Sequence, residues 1–187
     1  MPGSGSSPIN KSAVALGVLA YPKWNPADHR RIQDFRKAHD ELYYQVVDPH
    51  FAFVFPMEGV VKEAFLDEVE KQSRGFGPIE FEIRCATPNK DAFLPYYHLL
   101  LVPDLGYSRV VRLHDRLYSG LFRPHLRLDI DFIPHVGIAN SKDPEQVKLW
   151  VDSWNAGEFC IGGRIESLTA IDYSNGVLAD LHTIPLG

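Results

Sequence analysis

The sequence predicts an α+β fold: two pseudo-symmetric lobes of mixed or antiparallel sheet, flanked by helices, face one another across a central cleft. Three features lead there. The pentapeptide Pro49-His50-Phe51-Ala52-Phe53 returns 85 positions later as Pro134-His135-Val136-Gly137-Ile138. Short strand-like apolar runs alternate with segments of helical period, and two hairpin signals close the two halves. The order reads strand, helix, histidine strand, helix, hairpin, then helix, histidine strand, helix, hairpin. This is an internal duplication in outline, a duplicated ferredoxin-like arrangement. With 187 residues, 45% of them hydrophobic, the chain can build a conventional interior as one domain or as two small lobes sharing a core.

Residues 1–12, rich in Gly, Ser and Pro without apolar periodicity, read as a flexible tail, which leaves residues 13–187 as a single bilobal domain. Ala13 to Ala20 is a continuous apolar run of strand length. Asn25 is placed to cap a helix with Pro26 at its first position, and Ile32, Phe35, His39, Leu42 and Val46 carry helical spacing to about Gln45. Asp48-Pro49 turns the chain into the first histidine strand. Val61, Phe65 and Val69 mark a second helix that ends near Gly75, and Gly75-Phe-Gly-Pro78 breaks the chain. Ile79 to Ala86 alternates, Tyr96 to Val102 is apolar, and together they form a hairpin across a Thr87 to Pro95 loop. Val110, Leu113 and Leu117 give a third helix, with Arg109, Arg112 and Arg116 as a solvated stripe. After the second histidine strand, Asp143-Pro144 repeats the cap-then-proline signal before Val147, Trp150, Val151 and Trp154. Phe159 to Ile171 and Val177 to Ile184 close the chain as a hairpin with an Asn175-Gly176 turn. Gly162-Gly163 reads as a bulge in the first of these strands.

Formal charge is 19 minus 24, or -5 at pH 7, which argues against a surface that coats nucleic acid throughout. Residues 109–127 depart from that balance, with five arginines (Arg109, Arg112, Arg116, Arg123, Arg127) against Asp115, a local +4 just before the second motif. Only Cys85 and Cys160 are present, expected as ordinary buried thiols. No segment is apolar enough to cross a membrane, and with two cysteines and no leader the expected location is cytoplasmic. The three tryptophans, Trp24, Trp150 and Trp154, read as core or edge packing.

Side chains on a strand alternate faces, so His50, Ala52 and Val54 share one face and Phe51, Phe53 and Phe55 the other. In the second copy His135, Gly137 and Ala139 stand opposite Val136 and Ile138. Each histidine thus overlooks a cleared strip of backbone that can admit a ligand. Two imidazoles suit displacement at phosphorus, one accepting a proton from the attacking oxygen and the other protonating the leaving oxygen. A single histidine at a strand start is usually a core or surface residue; the repeat is what singles these two out. Pro124-His125-Leu126-Arg127-Leu128 shows that Pro-His alone is common here, and Arg127 fills the position that Ala52 and Gly137 leave clear. No Walker sequence, dinucleotide fingerprint, His-Glu-x-x-His or paired Cys-x-x-Cys occurs, so neither cofactor nor metal is expected.

The two motifs, their separation, and the stretches Tyr97-His-Leu-Leu-Leu-Val-Pro103 and Leu113-His-Asp-Arg-Leu-Tyr118 resemble the 2H phosphoesterase superfamily, in its 2′-5′ RNA ligase-like and cyclic phosphodiesterase branches. The likeness runs from Ala13 to Pro185. It implies that His50 and His135 catalyse a reaction on a 2′,3′-cyclic phosphate, a 2′-5′ linkage or a related nucleotide or RNA-end phosphodiester, with no obligatory protein partner. In that family a threonine or serine two residues after each histidine holds the phosphate oxygens. Here those positions are Ala52 and Gly137. The substitutes within sequence reach are Arg123, His125 and Arg127 before the second motif, Lys142 after it, Tyr96 and His98 on the preceding strand, and the open backbone N–H at Gly137. The alternative is a nucleotide- or RNA-binding protein on the same fold, its catalysis lost or diverted.

Overall fold

The computed structural model describes residues 14–187; the expected tail lies outside the described residues. β1 (Leu16–Ala20), β3 (Phe51–Met57), β8 (Ser167–Ser174) and β9 (Val177–Pro185) form a four-stranded sheet in the order β3-β1-β8-β9. β2 (Lys23–Trp24), β4 (Ile79–Lys90), β5 (Tyr97–Leu105), β6 (Val136–Ser141) and β7 (Ile161–Ile165) form a five-stranded sheet, β2-β7-β4-β5-β6. Every strand pairing is antiparallel. α1 (Pro26–His39) and α4 (Pro144–Asn155) pack on the five-stranded sheet. α2 (Lys62–Ser73) and α3 (Tyr107–Leu117) pack together, α3 against β3 and α2 against β9. The duplication is therefore interleaved along the chain: the β4–β5 hairpin joins the sheet of the second histidine strand, and the closing β8–β9 hairpin joins the sheet of the first.

The helix caps follow the sequence. Asn25 accepts the Ala27 amide, Asp143 accepts the Glu145 amide, and proline opens α1 and α4. Asn175 and Gly176 both take positive φ, 56° and 74°, as a two-residue hairpin turn of primed type requires.

Four expectations need correction. α1 ends at His39 and not near Gln45, because the buried Arg36 side chain gathers the following segment around itself. It pairs with Asp40 at 2.9 Å and donates to the carbonyls of Tyr43 and Val47, while Asp40 accepts from the Tyr43 amide and from Asn140 Nδ2. The loop between β4 and β5 is shorter than Thr87 to Pro95, spanning only 91–96, because pairing continues to Lys90↔Tyr97. Pro88 is tolerated in β4 because β7, its other neighbour, pairs only as far as Ile83. The run from Phe159 to Ile171 is two strands: the chain changes sheets at Glu166, whose carbonyl accepts from Leu186 N. Gly163 marks no bulge. It lies opposite Phe81 in unbroken register, and a Cβ there would come within 2.5 Å of the Phe81 ring.

Two smaller differences concern side chains. Cys85 and Cys160 are exposed free thiols and not buried ones. Arg109 and Arg116 reach back from α3 to donate to the carbonyls of Gly77 and Arg74, so the stripe also fastens α3 to the turn after α2. The tryptophans pack as expected, Trp24 edge-on to Phe81 and Trp154 edge-on to Phe35.

The Arg36–Asp40–Asn140 network ties the segment leading to His50 onto β6, the strand that follows His135. Its three residues are 2%, 5% and 3% exposed. Asp40→Ala would strand the guanidinium in the interior, a change expected to cost about 3–5 kcal/mol. Urea unfolding of the variant is the check: a midpoint close to wild type would show that the pair carries no such weight.

Candidate active site

Both histidine strands are sheet edges, and both are bulged at the same place. β3 pairs Leu19↔Ala52 and then Val18↔Val54, so Phe53 is an extra residue; β6 pairs Leu100↔Gly137 and then Leu99↔Ala139, so Ile138 is the extra one. Each bulge falls three residues after its histidine. It breaks the simple alternation expected from sequence: Val54 enters the core beside Phe53, and Ala139 beside Ile138. Ahead of the bulge the expected pattern holds, with Phe51 and Val136 buried, Ala52 half-buried and Gly137 exposed.

The free edge of β3 is satisfied from α3. His114 Nδ1 donates to the Phe53 carbonyl at 2.8 Å, and the Phe55 amide donates to the Tyr118 hydroxyl at 3.1 Å. The histidine and tyrosine of Leu113-His-Asp-Arg-Leu-Tyr118 thus hold the first histidine strand. His114 is sandwiched flat against Phe132, with ring centroids 3.5 Å apart.

His50 and His135 are held identically. His50 Nδ1 lies 2.8 Å from the Asp48 carbonyl and His135 Nδ1 lies 2.6 Å from the Ile133 carbonyl, in each case the residue two before. A carbonyl only accepts, so Nδ1 carries the hydrogen and Nε2 is left as the unprotonated nitrogen of both neutral rings. The charge of each protonated ring is felt within the site: that of His135 disfavours protonation of His50, and that of His98 disfavours protonation of His135. Burial is the larger cause in both. It pushes His50 down to about 4, with His135 and Arg36 adding to it and the Asp48 carbonyl opposing, and it lowers His135 against its own carbonyl bond. His114 is lowered by burial too.

These shifts have a sign for stability. All three histidines have folded values below the unfolded value of about 6.5, so the unfolded chain takes up protons that the folded chain refuses as pH falls. Stability is expected to be intact above about pH 6.5 and to decline toward pH 4, His50 alone contributing on the order of 3 kcal/mol by then. Chemical denaturation at pH 7 and pH 4.5 measures it; equal midpoints would contradict the depressed values.

Around the pair the structure places residues that sequence reading did not reach. Tyr21 meets His50 edge-on at 6.3 Å between ring centroids and donates its hydroxyl to Asp180 Oδ1 at 3.2 Å; burial, then Asp180, raises its pKa. A cavity of about 380 Å³ opens there, lined by Tyr21, Val46, Val47, Asp48, Leu178 and Asp180. Tyr43 stacks on His98 at 6.4 Å, its pKa pushed up to about 12 by burial and then by Asp91. None of these carries a motif, and only the fold joins Tyr21 to Asp180.

The expected phosphate-binding residues divide. His98 stands on β5 beside the site, its Nε2 2.8 Å from Asp91 Oδ2. Lys142 lies over the Tyr96 ring at 5.3 Å, at the far end of β6, five residues or roughly 17 Å along the strand from Gly137. Arg127 forms a two-pronged pair with Asp129, at 2.8 and 2.6 Å, and lies over Phe93 at the tip of the β4–β5 hairpin. Arg123 and His125 sit in a 3-10 turn, Arg123–His125, and among the described residues form no hydrogen bond, ion pair or ring contact with the histidine pair. Gly137 has room: an added Cβ would approach nothing closer than Leu100 Cδ2, at 4.0 Å. No group of three or more His, Cys, Asp or Glu side chains among the described residues is arranged to hold a metal ion, and no described helix is long and apolar enough to cross a membrane.

Comparison with known proteins agrees with this fold. E. coli LigT, in a structure with NADP+, is similar at a TM-score of 0.57 and 12% identity, covering 94% of this chain and 99% of that one. TT0787 of Thermus thermophilus gives 0.55 and 14%, covering 92% and 97%. E. coli LigT complexed with 3′-AMP gives 0.53 and 14%, covering 93% and 98%. At such identities the likeness shows the fold. No curated protein matches the sequence. The description of the 2′-5′ RNA ligase superfamily matches residues 23–177, most of the chain and both histidine motifs, and the protein belongs to that superfamily, the 2H phosphoesterases.

Proposed function

We propose that the protein is a metal-independent, cytoplasmic phosphoesterase that opens a 2′,3′-cyclic phosphate, a 2′-5′ linkage or a related nucleotide or RNA-end phosphodiester, with His50 and His135 as its acid and base. The observation that carries this is the matched presentation of two imidazoles, each with Nδ1 bound to a carbonyl and Nε2 free, with His135 close enough to disfavour protonation of His50. In hydrolysis one Nε2 takes the proton of water as its oxygen bonds to phosphorus, and the other gives a proton to the ribose oxygen as that P–O bond breaks. Two interacting rings titrate as a pair, so either can begin as the acid. The E. coli LigT complexes with 3′-AMP and NADP+ support a nucleotide-like ligand.

The test is turnover in EDTA of adenosine 2′,3′-cyclic phosphate and of short RNAs ending in a cyclic phosphate. Ring opening to a monoester supports the proposal, and absence of turnover on every such ester counts against it.

A second reading has its own observation. Ala52 and Gly137 remove both motif hydroxyls, and preorganised donors of that kind supply much of the stabilisation of a phosphoryl transition state. On that reading the protein binds a nucleotide or RNA end without turning it over. Salt-sensitive binding of adenosine 3′-monophosphate with no hydrolysis of the cyclic ester would select it.

A further inference from the structure

We propose that His98, backed by the Asp91 carboxylate, supplies the phosphate with the donor that Gly137 has lost. This rests on the reading that His50 and His135 flank a phosphate. Leu100 pairs with Gly137, so in register terms Gly137 lies between His135, two residues before it on β6, and His98, two residues from Leu100 on β5. By strand alternation His98 shares a face with Leu100, and His135 with Gly137. The two imidazoles therefore flank the cleared strip from opposite ends, and the influence of His98 on His135 agrees with that closeness.

The dyad is built, not incidental to the hairpin. Asp91 Oδ1 accepts the amides of Phe93 and Leu94, each at 2.7 Å, and its own amide donates to the Tyr96 carbonyl at 2.9 Å, so the carboxylate is aimed before any ligand arrives. Oδ2 then takes the His98 Nε2–H at 2.8 Å, with the two side chains 12% and 13% exposed. Among the described residues nothing hydrogen-bonds His98 Nδ1. With Nε2–H given to the carboxylate, Nδ1 is the nitrogen that faces a ligand, and in the imidazolium form it donates to an anionic oxygen. Tyr43 stacked on the ring keeps it from swinging away. The other cations in reach of the motif are committed or distant: Arg127 to Asp129, Lys142 to the far end of β6.

A structural latch closing the hairpin would use the same contacts, so the test is a double-mutant cycle between positions 98 and 137, read as kcat and KM on adenosine 2′,3′-cyclic phosphate in EDTA, with the melting temperature followed throughout. His98→Ala is expected to lower kcat ~10²- to 10³-fold, the usual loss for one preorganised donor. Gly137→Ser is expected to recover at least about tenfold of that in the His98→Ala background and to raise the wild type by less, because the two donors substitute for one another. His98→Gln, which keeps an amide donor, should fall between, and guards against a fold defect in His98→Ala. Equal effects of Gly137→Ser in both backgrounds, or a His98→Ala enzyme within twofold of wild type, would overturn the proposal while leaving the histidine pair intact. If the wild type binds adenosine 3′-monophosphate without turnover, the same cycle is read in Kd with the same criteria. A wild type that neither hydrolyses the ester nor binds that nucleotide overturns both readings together.

Discussion

Replacing His50 or His135 by alanine is expected to lower kcat/KM on a 2′,3′-cyclic nucleotide by about 10²- to 10⁴-fold, the usual worth of a positioned acid or base. The effect should appear in kcat, because the imidazoles move protons only as the phosphorus bonds change. The double variant should lose little beyond either single one, since the two rings act as a unit. Fold defects are separable from chemistry. Each histidine sits just before its strand and, among the described residues, makes one side-chain hydrogen bond, to a carbonyl two residues earlier, so the melting temperature should move little. Asparagine at either position keeps an N–H toward that carbonyl and still cannot relay a proton. If His50→Asn or His135→Asn retained wild-type turnover, the roles assigned to the pair would be wrong.

Ala52→Thr is expected to raise activity, by ~10²- to 10³-fold if the restored hydroxyl reaches the phosphate. Threonine suits the position physically, being β-branched on a strand, at a half-buried residue ahead of the Phe53 bulge. The two sides of the cleft are not equivalent. On the Gly137 side His98 already stands beside the strip, whereas on the Ala52 side the hydroxyl of Tyr21, whose ring meets His50, is donated to Asp180. Ala52→Thr should therefore gain more than Gly137→Ser. Steady-state rates of the two single variants decide it: a larger gain at position 137, or none at 52, would mean that the donor deficit lies elsewhere.

Much of this was legible in the residues themselves, and the reason is locality. Caps at Asn25 and Asp143, prolines at Pro26 and Pro144, and the Asn175-Gly176 turn act through atoms a few positions apart, and each does in the structure what its chemistry dictates. The histidine strands were visible because their core faces begin with a local alternation, Phe51 and Val136 inward. What escaped was set by distant partners. α1 stops at His39 because Arg36 and Asp40 find Asn140, about a hundred positions away, and no periodicity in residues 40–46 records that bond. The paired bulges at Phe53 and Ile138 depend on register with β1 and β5. The crossing between sheets at Glu166 is invisible in a continuous apolar run. His98 was within reach of sequence reasoning as a polar residue on an inner strand, but its carboxylate was not, since Asp91 gains meaning only when the hairpin closes. Charge and nearness in sequence point to Arg123, Arg127 and Lys142, but they do not say that the Arg127 arm is already paired with Asp129.

The claim underlying these expectations is that one phosphate-sized site faces both Nε2 atoms. Side-chain 15N NMR of the imidazoles during titration with adenosine 3′-monophosphate, in EDTA, examines it directly. The Nε2 resonances of His50 and His135 are expected to move together along one binding curve while their Nδ1 resonances, held by carbonyls, move less. Saturation of the protein with nucleotide while either Nε2 stays where it was would contradict a shared site.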